Sequence, residues 1–368
     1  MRTIWVIISI FPFKVFFFNV VWLFEYFCGL PKCPFIGIVR RVVELLVDSK
    51  LSYLSLTKAC TDWTGPLKTV WFLLKKTISD TDLHDLIVRT FNLKAELPQF
   101  ETLAVSEPKK YVYHVELNRP KKSNTLNRTM WQEINTCFST LSLIPQCRVI
   151  VLSGQGKHFC GGIDLQTLVQ LGAEVDEVDD VARKARFHYN FIKYAQDTIS
   201  SLEECVKPVI SVSHNACIGA AVNLITAADM RYCTEDCFFS VREVDVGLAA
   251  DVGTLQRLPK VVGNVSVARE LCFTGRNFDA KEAKEIGLVS EVFPDKETAL
   301  AKVLAIAESI AAKSPVAVQT TKVNLVYSQS RTNQDGLEHI VMNNQGEDLT
   351  KAAIAQATKS PVPEFDNV

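Results

Sequence analysis

Two carboxylates and two turns of very small residues are the groups in this sequence best suited to moving a proton beside a carbonyl. Glu243 lies in SVREVDVGL and Asp251 in LAADVG. Both sit in apolar company, where burial raises the proton affinity of a carboxyl towards neutral pH. Ahead of them, KPVISVSHNACIGAAVNL reads as a buried strand (Pro208 to Val212) that turns through His214-Asn215-Ala216-Cys217 into Ile218-Gly219-Ala220-Ala221. Side chains this small let a ligand approach main-chain N–H groups closely. A second turn of the same kind, Phe159-Cys160-Gly161-Gly162-Ile163-Asp164, follows the earlier strand RVIVLSG. Two N–H groups aimed at one point would polarise a carbonyl while nearby acids exchange protons with it. Taken singly, each feature has a plainer reading. Either turn is a place where chains pass closely, Glu243 is a surface charge beside Arg242 on a strand end, and Asp251 is the N-cap of a helix opening at Val252. Their combination within one β-α repeat favours chemistry.

Other reactive side chains point to less. Cys160 and Cys217 neighbour the turns, yet no histidine is arranged to activate them: His158 and His214 belong to turns themselves. His84, in DTDLHDL, reads as part of a solvated helix face. The eleven cysteines are odd in number and scattered, as expected of reduced thiols in a chain long enough to need no staples. The close pairs Cys28/Cys33 and Cys233/Cys237 lack the further ligands of a tetrahedral site, so no metal is expected. With 48% apolar residues, 22% charged residues and a net charge of −1, the chain has no basic excess to attract nucleic acid.

The elements that must position these groups follow an α/β order. YVYHVELNRP alternates from Tyr111 as a strand covered on one face does, and Asn118-Arg119-Pro120 ends it. Residues 129–144 place Met130, Ile134, Cys137, Phe138 and Leu141 at helical spacing. Val149 to Leu152 forms a continuous apolar run, suited to a parallel strand covered on both faces. GKHFCGGIDL leads into a helix at Leu165. The unit then repeats as strand KPVISV, helix IGAAVNLITAA and strand CFFSV, which predicts right-handed crossovers. From about Ala280 the chain becomes helical: AKEAKEIGLVSEVFP, ETALAKVLAIAESIAAK, SPVAVQTTKVNLVYSQ and GLEHIVMNNQGEDLTKAAIAQA.

The first hundred residues differ. Residues 3–27, TIWVIISIFPFKVFFFNVVWLFEYF, are long and apolar enough for a membrane anchor, although Pro12, Lys14 and Glu25 interrupt them. No small-residue cleavage site follows and no Arg- and Ser-rich transit pattern is present. The expected organisation is a hydrophobic segment over residues 1–36, a helical extension over 37–98, a β/α core over 99–280 and a helical region over 281–368.

Residues 99–358 resemble the crotonase (enoyl-CoA hydratase/isomerase) superfamily through an ordered string of motifs. These are LNRPKKSNTLN, VIVLSGQGKHFCGGIDL, KPVISVSHNACIGAAVNL with AADMRY, FFSVREVDVGLAADVGTLQRLPKVVGN, and SPVAVQTTKVN. The stretch REVDVGLAADVGTLQRLPK looks like the dienoyl-CoA isomerase branch, which shifts 3,5-dienoyl-CoA to 2,4-dienoyl-CoA. The resemblance implies a spiral of β-β-α repeats, an oxyanion hole from the N–H groups of Gly161 and Ala220, and acid–base catalysis by Glu243 and Asp251. The apolar residues Val244, Val246, Leu248 and Ala249 would keep that pair dry. It also implies a CoA site formed by Ser123, Asn124, Thr125 and Leu126 together with Gly162, Ile163, Asp164, Leu165 and Gly219. Asp164 is equally a cap of the helix that follows it.

Asn223 departs from the pattern: the isomerase branch has aspartate there and the hydratase branch glutamate. An amide can hold neither a proton nor a negative charge, which disfavours hydration and leaves either an isomerase or a weakened, acyl-CoA-binding relative. Thr125 and Ala220 also replace the usual alanine and glycine. The implied substrate is a fatty acyl-CoA of β-oxidation, with no further cofactor. The implied assembly is a homotrimer or hexamer. The implied compartment is the mitochondrion, with the peroxisome or a membrane anchored through residues 3–27 as alternatives; the C-terminus is not the Ser-Lys-Leu peroxisomal address.

Overall fold

The strand VIVLSG is buried along its whole length, because a parallel strand with sheet on both edges and helices on both faces has no side left for water. The rest of the chain is laid around it. The computed structural model describes residues 97–331, 347–361 and 363–367, which fall within one unit, Ala95–Val368. The hydrophobic segment of residues 3–27 and the extension of 37–98, apart from residues 97 and 98, lie outside the described residues.

In chain order the elements begin with β1 (Leu103–Lys109), β2 (Val112–Leu117), α1 (Arg128–Leu143), β3 (Val149–Gly154), α2 (Leu165–Asp176) and α3 (Val181–Glu204). They continue with β4 (Val209–Ser213), β5 (Ala216–Ile218), α4 (Ala220–Ala227), β6 (Met230–Thr234), β7 (Phe238–Ser240) and a 3-10 turn (Glu243–Val246). The last described elements are α5 (Thr254–Val262), α6 (Val265–Thr274), β8 (Phe278–Asp279), α7 (Ala280–Glu285), β9 (Glu291–Phe293), α8 (Lys296–Ala311), α9 (Pro315–Ser328) and α10 (Glu347–Thr358). A six-stranded sheet runs β1-β2-β3-β4-β6-β9, and a three-stranded sheet runs β5-β7-β8. Within the larger sheet only β1 and β2 pair antiparallel.

Period-two alternation sends side chains to two different cores. Val115, Leu117, Ile150 and Leu152 face α1 and the helices beyond it, where Met130, Ile134, Phe138 and Ile199 are fully buried. Val112, Val149, Val151, Ile210 and Val212 face α8, whose stripe Ala299, Val303, Ala307 and Ala311 lets that helix lie close to the strands. The expected strand at residue 111 therefore needs two corrections. It is covered on both faces rather than one, and it begins at Val112, because Tyr111 takes a left-handed turn (φ 69°) out of β1. The crossover from β4 through α4 also returns at a different place. It lands on β6, in ADMRYCT, while the anticipated strand CFFSV becomes β7 and pairs with β5 in the smaller sheet. β4 and β6 are thus each followed by a short strand, β5 and β7, that leaves the main sheet.

Helix starts are set by side-chain caps. Asn127, Asp164, Asp180, Asn264, Asp279, Asp295 and Ser314 each accept a first-turn N–H. Gly287 ends the α7 region in the left-handed conformation, as its sequence position suggests. Among the described residues no helix is long and apolar enough to cross a membrane.

Helix α9 of the C-terminal region is fastened by a buried cation. Lys322 of α9 donates to the carbonyls of Leu202 and Lys207, each at 3.0 Å, and pairs with Asp229 at 2.8 Å. Asp229 in turn accepts the N–H of Val209 at 2.7 Å, at the start of β4. Removing the ammonium leaves two carbonyls and a carboxylate without it. Lys322→Ala is expected to cost about 3–5 kcal/mol, read as a lowered urea midpoint with an unchanged slope.

Candidate active site

The two small-residue turns meet through their backbones. Cys160 and Cys217 form a parallel bridge, with Cys160 N–H donating to Ala216 O at 3.0 Å and Ile218 N–H to Cys160 O at 3.1 Å. Gly162 has φ +92°, and a Cβ built there would lie 2.8 Å from Ile218 O and 3.7 Å from the Ala220 nitrogen. Only glycine permits both the conformation and the approach. Burial pushes the Cys160 thiol up to about 12 and raises Cys217 well above the ordinary thiol value, which disfavours a nucleophilic thiolate at either.

The N–H of Gly161, expected to face the site, is already committed. It donates to Ser123 O at 2.8 Å, because Ser123 and Asn124 are both left-handed (φ 51° and 52°) and turn that carbonyl towards it. Two residues on, the N–H of Ile163 donates to no protein acceptor among the described residues, and neither does that of Ala220, the first residue of α4. Gly219 spends its own N–H on Ser240 O at 2.8 Å. The pair of open donors beside the contact point is therefore Ile163 and Ala220. Sequence reasoning had no signal for this shift, since it depends on where the Ser123 carbonyl points.

The loop before α1 is a scaffold as much as a surface. Asn124 is fully buried: its Nδ2 donates to the carbonyls of Gln155, His158 and Phe159 at 2.8, 2.9 and 3.1 Å, and its Oδ1 accepts Arg119 N–H at 2.8 Å. Leu126 is equally buried and bridges Ile163. Neither side chain is available to a ligand. Ser123 and Thr125 are half-buried, and Leu165 is exposed. Asp164 caps α2 through Gln166 N–H at 3.0 Å and pairs with Arg119 at 3.0 Å. Burial alone would raise its carboxyl, but the Arg119 and Gln166 hydrogen bonds outweigh that and hold it below the usual aspartate value.

Glu243 opens the 3-10 turn rather than ending a strand, and its carboxyl packs against the first turn of α4. A Cβ built at Gly219 would lie 3.8 Å from both Cδ and Oε1 of Glu243. Asn223 Nδ2 donates to Oε1 at 3.3 Å, while Oε2 is buried without a hydrogen-bond partner among the described residues. Asp251 precedes α5 but does not cap it. The helix opens at Thr254 behind Gly253, and Gln196 Nε2 holds the Asp251 carbonyl at 2.6 Å. Burial raises both carboxyls. For Glu243 its own backbone and Asn223 pull the other way and the charge of Asp251 adds to the rise; for Asp251 its own backbone and His188 oppose it. The expected dry wall is not where the sequence put it. Val244, Val246, Leu248 and Ala249 are all exposed, the first two on the 3-10 turn and the others beyond its end; Gly219 and Asn223 lie against the carboxyl instead.

A pair of acids with raised proton affinity in the same site as two open N–H groups suits proton transfer α to a carbonyl. The family model "Enoyl-CoA hydratase/isomerase" matches residues 107–352. The chain belongs to the enoyl-CoA hydratase/isomerase family. It is 49% identical over 260 residues to the mitochondrial Delta(3,5)-Delta(2,4)-dienoyl-CoA isomerase of Homo sapiens, covering 70% of this chain and 79% of that protein. It is 44% identical over 252 residues to the peroxisomal Delta(3,5)-Delta(2,4)-dienoyl-CoA isomerase of Arabidopsis thaliana, covering 67% and 90%. Among solved structures, the enoyl-CoA hydratase of Bacillus anthracis superposes with a TM-score of 0.64 at 25% identity, covering 72% of this chain and 99% of that one. The crotonase fold expected from the motifs is the fold observed.

The buried acid carries a stability signature. The folded-state pKa of Glu243 lies above its unfolded value, so its contribution is most favourable below the unfolded pKa and is lost as pH rises through the folded one. Glu243→Gln is therefore expected to melt above the wild type at pH 8. The gap in Tm should close below about pH 4, where both states carry the proton.

Proposed function

We propose that this chain is a dienoyl-CoA isomerase that converts 3,5-dienoyl-CoA to 2,4-dienoyl-CoA in the β-oxidation of unsaturated fatty acids. The observation that carries the reading is the packing of Glu243 against Gly219, which sets an acid with raised proton affinity on the turn that presents the Ala220 N–H. The 49% identity to a protein of that name supports it. The thioester oxygen accepts from Ile163 and Ala220, and negative charge forming on it is held by donors already in place. Asp251 removes a proton from C2. The electron pair forms C2=C3, the C3=C4 pair moves to C4=C5, and the C5=C6 pair takes a proton at C6 from Glu243. One proton leaves and one arrives, so the reaction needs no cofactor beyond the CoA of the substrate. Hydration would call for a carboxylate at residue 223 to activate water, and Asn223 cannot supply one.

The CoA portion is assigned to the surfaces left open by the two loops, at Ser123, Thr125 and Leu165. The mitochondrion is the compartment assigned, in keeping with the human relative. A homotrimer, or a pair of trimers, is the proposed assembly, in which a second copy covers the exposed Val244, Val246, Leu248 and Phe273. Sedimentation should then give three or six times the chain mass; a monomer would overturn the assembly.

The direct test supplies 3,5-octadienoyl-CoA and follows the absorbance of the conjugated 2,4-dienoyl thioester. Turnover by the wild type is expected, with kcat reduced about 10²–10⁴-fold in Glu243→Gln and in Asp251→Asn and KM little changed. Binding of the acyl-CoA without turnover, indifferent to both substitutions, would make the chain an acyl-CoA binder instead.

A further inference from the structure

The fully buried side chain of Asn223 touches three separate parts of the site. Its Nδ2 donates to Gly219 O at 3.4 Å and to Glu243 Oε1 at 3.3 Å, and its Oδ1 accepts Thr254 N–H at 2.6 Å. Gly219 O belongs to the same peptide unit as the Ala220 N–H. Thr254 N–H opens α5, three residues after Asp251, and no side chain of α5's own N-cap satisfies it. The orientation of the amide follows from its partners, since an N–H can only donate and a carbonyl can only accept.

We propose that Asn223 is a positioning residue rather than a decayed carboxylate: its amide fixes Glu243 so that Oε2 is the oxygen that carries and delivers the proton, and ties that acid to the Ala220 peptide and to the turn bearing Asp251. The inference rests on the isomerase reading for its chemistry, but the brace itself stands on geometry. Because Oε1 is held as an acceptor, a proton on Glu243 resides on Oε2, the buried oxygen that no other protein group engages among the described residues. An aspartate at 223 would set oxygen against oxygen at both Gly219 O and Glu243 Oε1. It could donate only while protonated, and then to one of the two. The amide donates to both at every pH.

The groups that bear on Glu243 are few. Asp251 acts from the turn before α5 and Cys272 from α6; on its own turn, Arg242 pairs with Asp245 at 3.4 Å and donates to Asn277 at 2.8 Å. The carboxyl also feels its own backbone N–H, which is there with or without residue 223, and none of these other side chains donates a hydrogen bond to Oε1, so the loss of Asn223 is not made good by a neighbouring side chain.

Two measurements test this, using the full-length wild type, Asn223→Ala and Asn223→Asp. In the first, kcat for 3,5-octadienoyl-CoA is followed against pH. Asn223→Ala should lose about 10- to 100-fold in kcat at every pH, with KM changed less than about threefold. Asn223→Asp should approach the wild type at acid pH, where its carboxyl is protonated and can donate, and fall progressively below it as pH rises. An Asn223→Asp protein as active as the wild type throughout, or more active, would overturn the proposal, as would an Asn223→Ala defect confined to KM. The second measurement needs no turnover. Each protein is melted across pH beside its Glu243→Gln counterpart; the gap between the two Tm curves opens at the unfolded-state pKa and stops widening at the folded-state one, so its upper end reports the ionisation of Glu243 in the folded protein. That upper end should move to higher pH when the donor at 223 is lost. An unmoved upper end would sink the brace even if the enzyme is an isomerase, whereas a moved one beside an inactive wild type would sink the isomerase reading alone.

Discussion

The approach of the Gly162 backbone to the Ile218 carbonyl is the contact on which the rest of the site depends. A side chain at 162 would stand 2.8 Å from that oxygen, so the two turns can touch only while this residue is glycine in the left-handed half of φ space. The contact brings the end of the β3 unit and the end of the β4 unit to one place, although some sixty residues of chain separate them. Parallel pairing of β3 with β4 sets the distance and the Cys160–Cys217 bridge sets the register. With those fixed, the peptides of Ile163 and Ala220 have little freedom. Donors held this way lose no reorganisation energy when charge develops before them, which is why a backbone oxyanion site tolerates alanine where glycine is usual.

Much of this was legible in the sequence, for reasons that can be given residue by residue. The run VIVLSG advertised a two-sided strand, and the helical spacing of Met130, Ile134, Cys137, Phe138 and Leu141 predicted the buried face of α1 that is observed. The small residues of both turns and the two acids were found because each breaks an otherwise plain pattern. What failed depended on where backbone groups point. Gly161 looked like the donor because glycine signals backbone access; its N–H is spent on Ser123 O, and the glycine serves close packing against the Ser123–Thr125 loop. Val244, Val246 and Leu248 looked like a wall because they are apolar and adjacent in sequence to an acid. Val244 and Val246 are exposed on the 3-10 turn and Leu248 lies beyond its end, while the Glu243 carboxyl turns towards Gly219.

Polar groups hold the outer parts of the fold in the same economical way. Asn124 satisfies three carbonyls from three consecutive parts of one loop while its own oxygen receives Arg119 N–H. Lys322 does the equivalent for the C-terminal helices. Arg148, buried beneath the C-terminal residues, donates to the carbonyls of Ala311 and Phe365 and to Asn367, and its guanidinium lies 4.0 Å from the centre of the Tyr111 ring. In each case one side chain with several donors replaces what would otherwise be several unpaired backbone oxygens in the interior. Such residues appear in the sequence only as isolated polar letters, and their partners lie up to 219 positions away.

The site itself shows why charge and shape cannot be chosen independently there. Two carboxyls that interact in a buried setting do not readily ionise together, which is why the charge of Asp251 adds to the rise that burial imposes on Glu243. A third carboxyl at residue 223 would add another charge to a volume that already disfavours two, and would have to stay protonated to fit against Gly219 O and Glu243 Oε1. An amide of the same outline fills the space and satisfies the Thr254 N–H at 2.6 Å without adding a titrating group. The substitution therefore removes a proton from the count without opening a cavity or leaving an N–H unpaired. That is the physical difference between a site that has lost a group and one that has exchanged a charge for a fixed hydrogen bond.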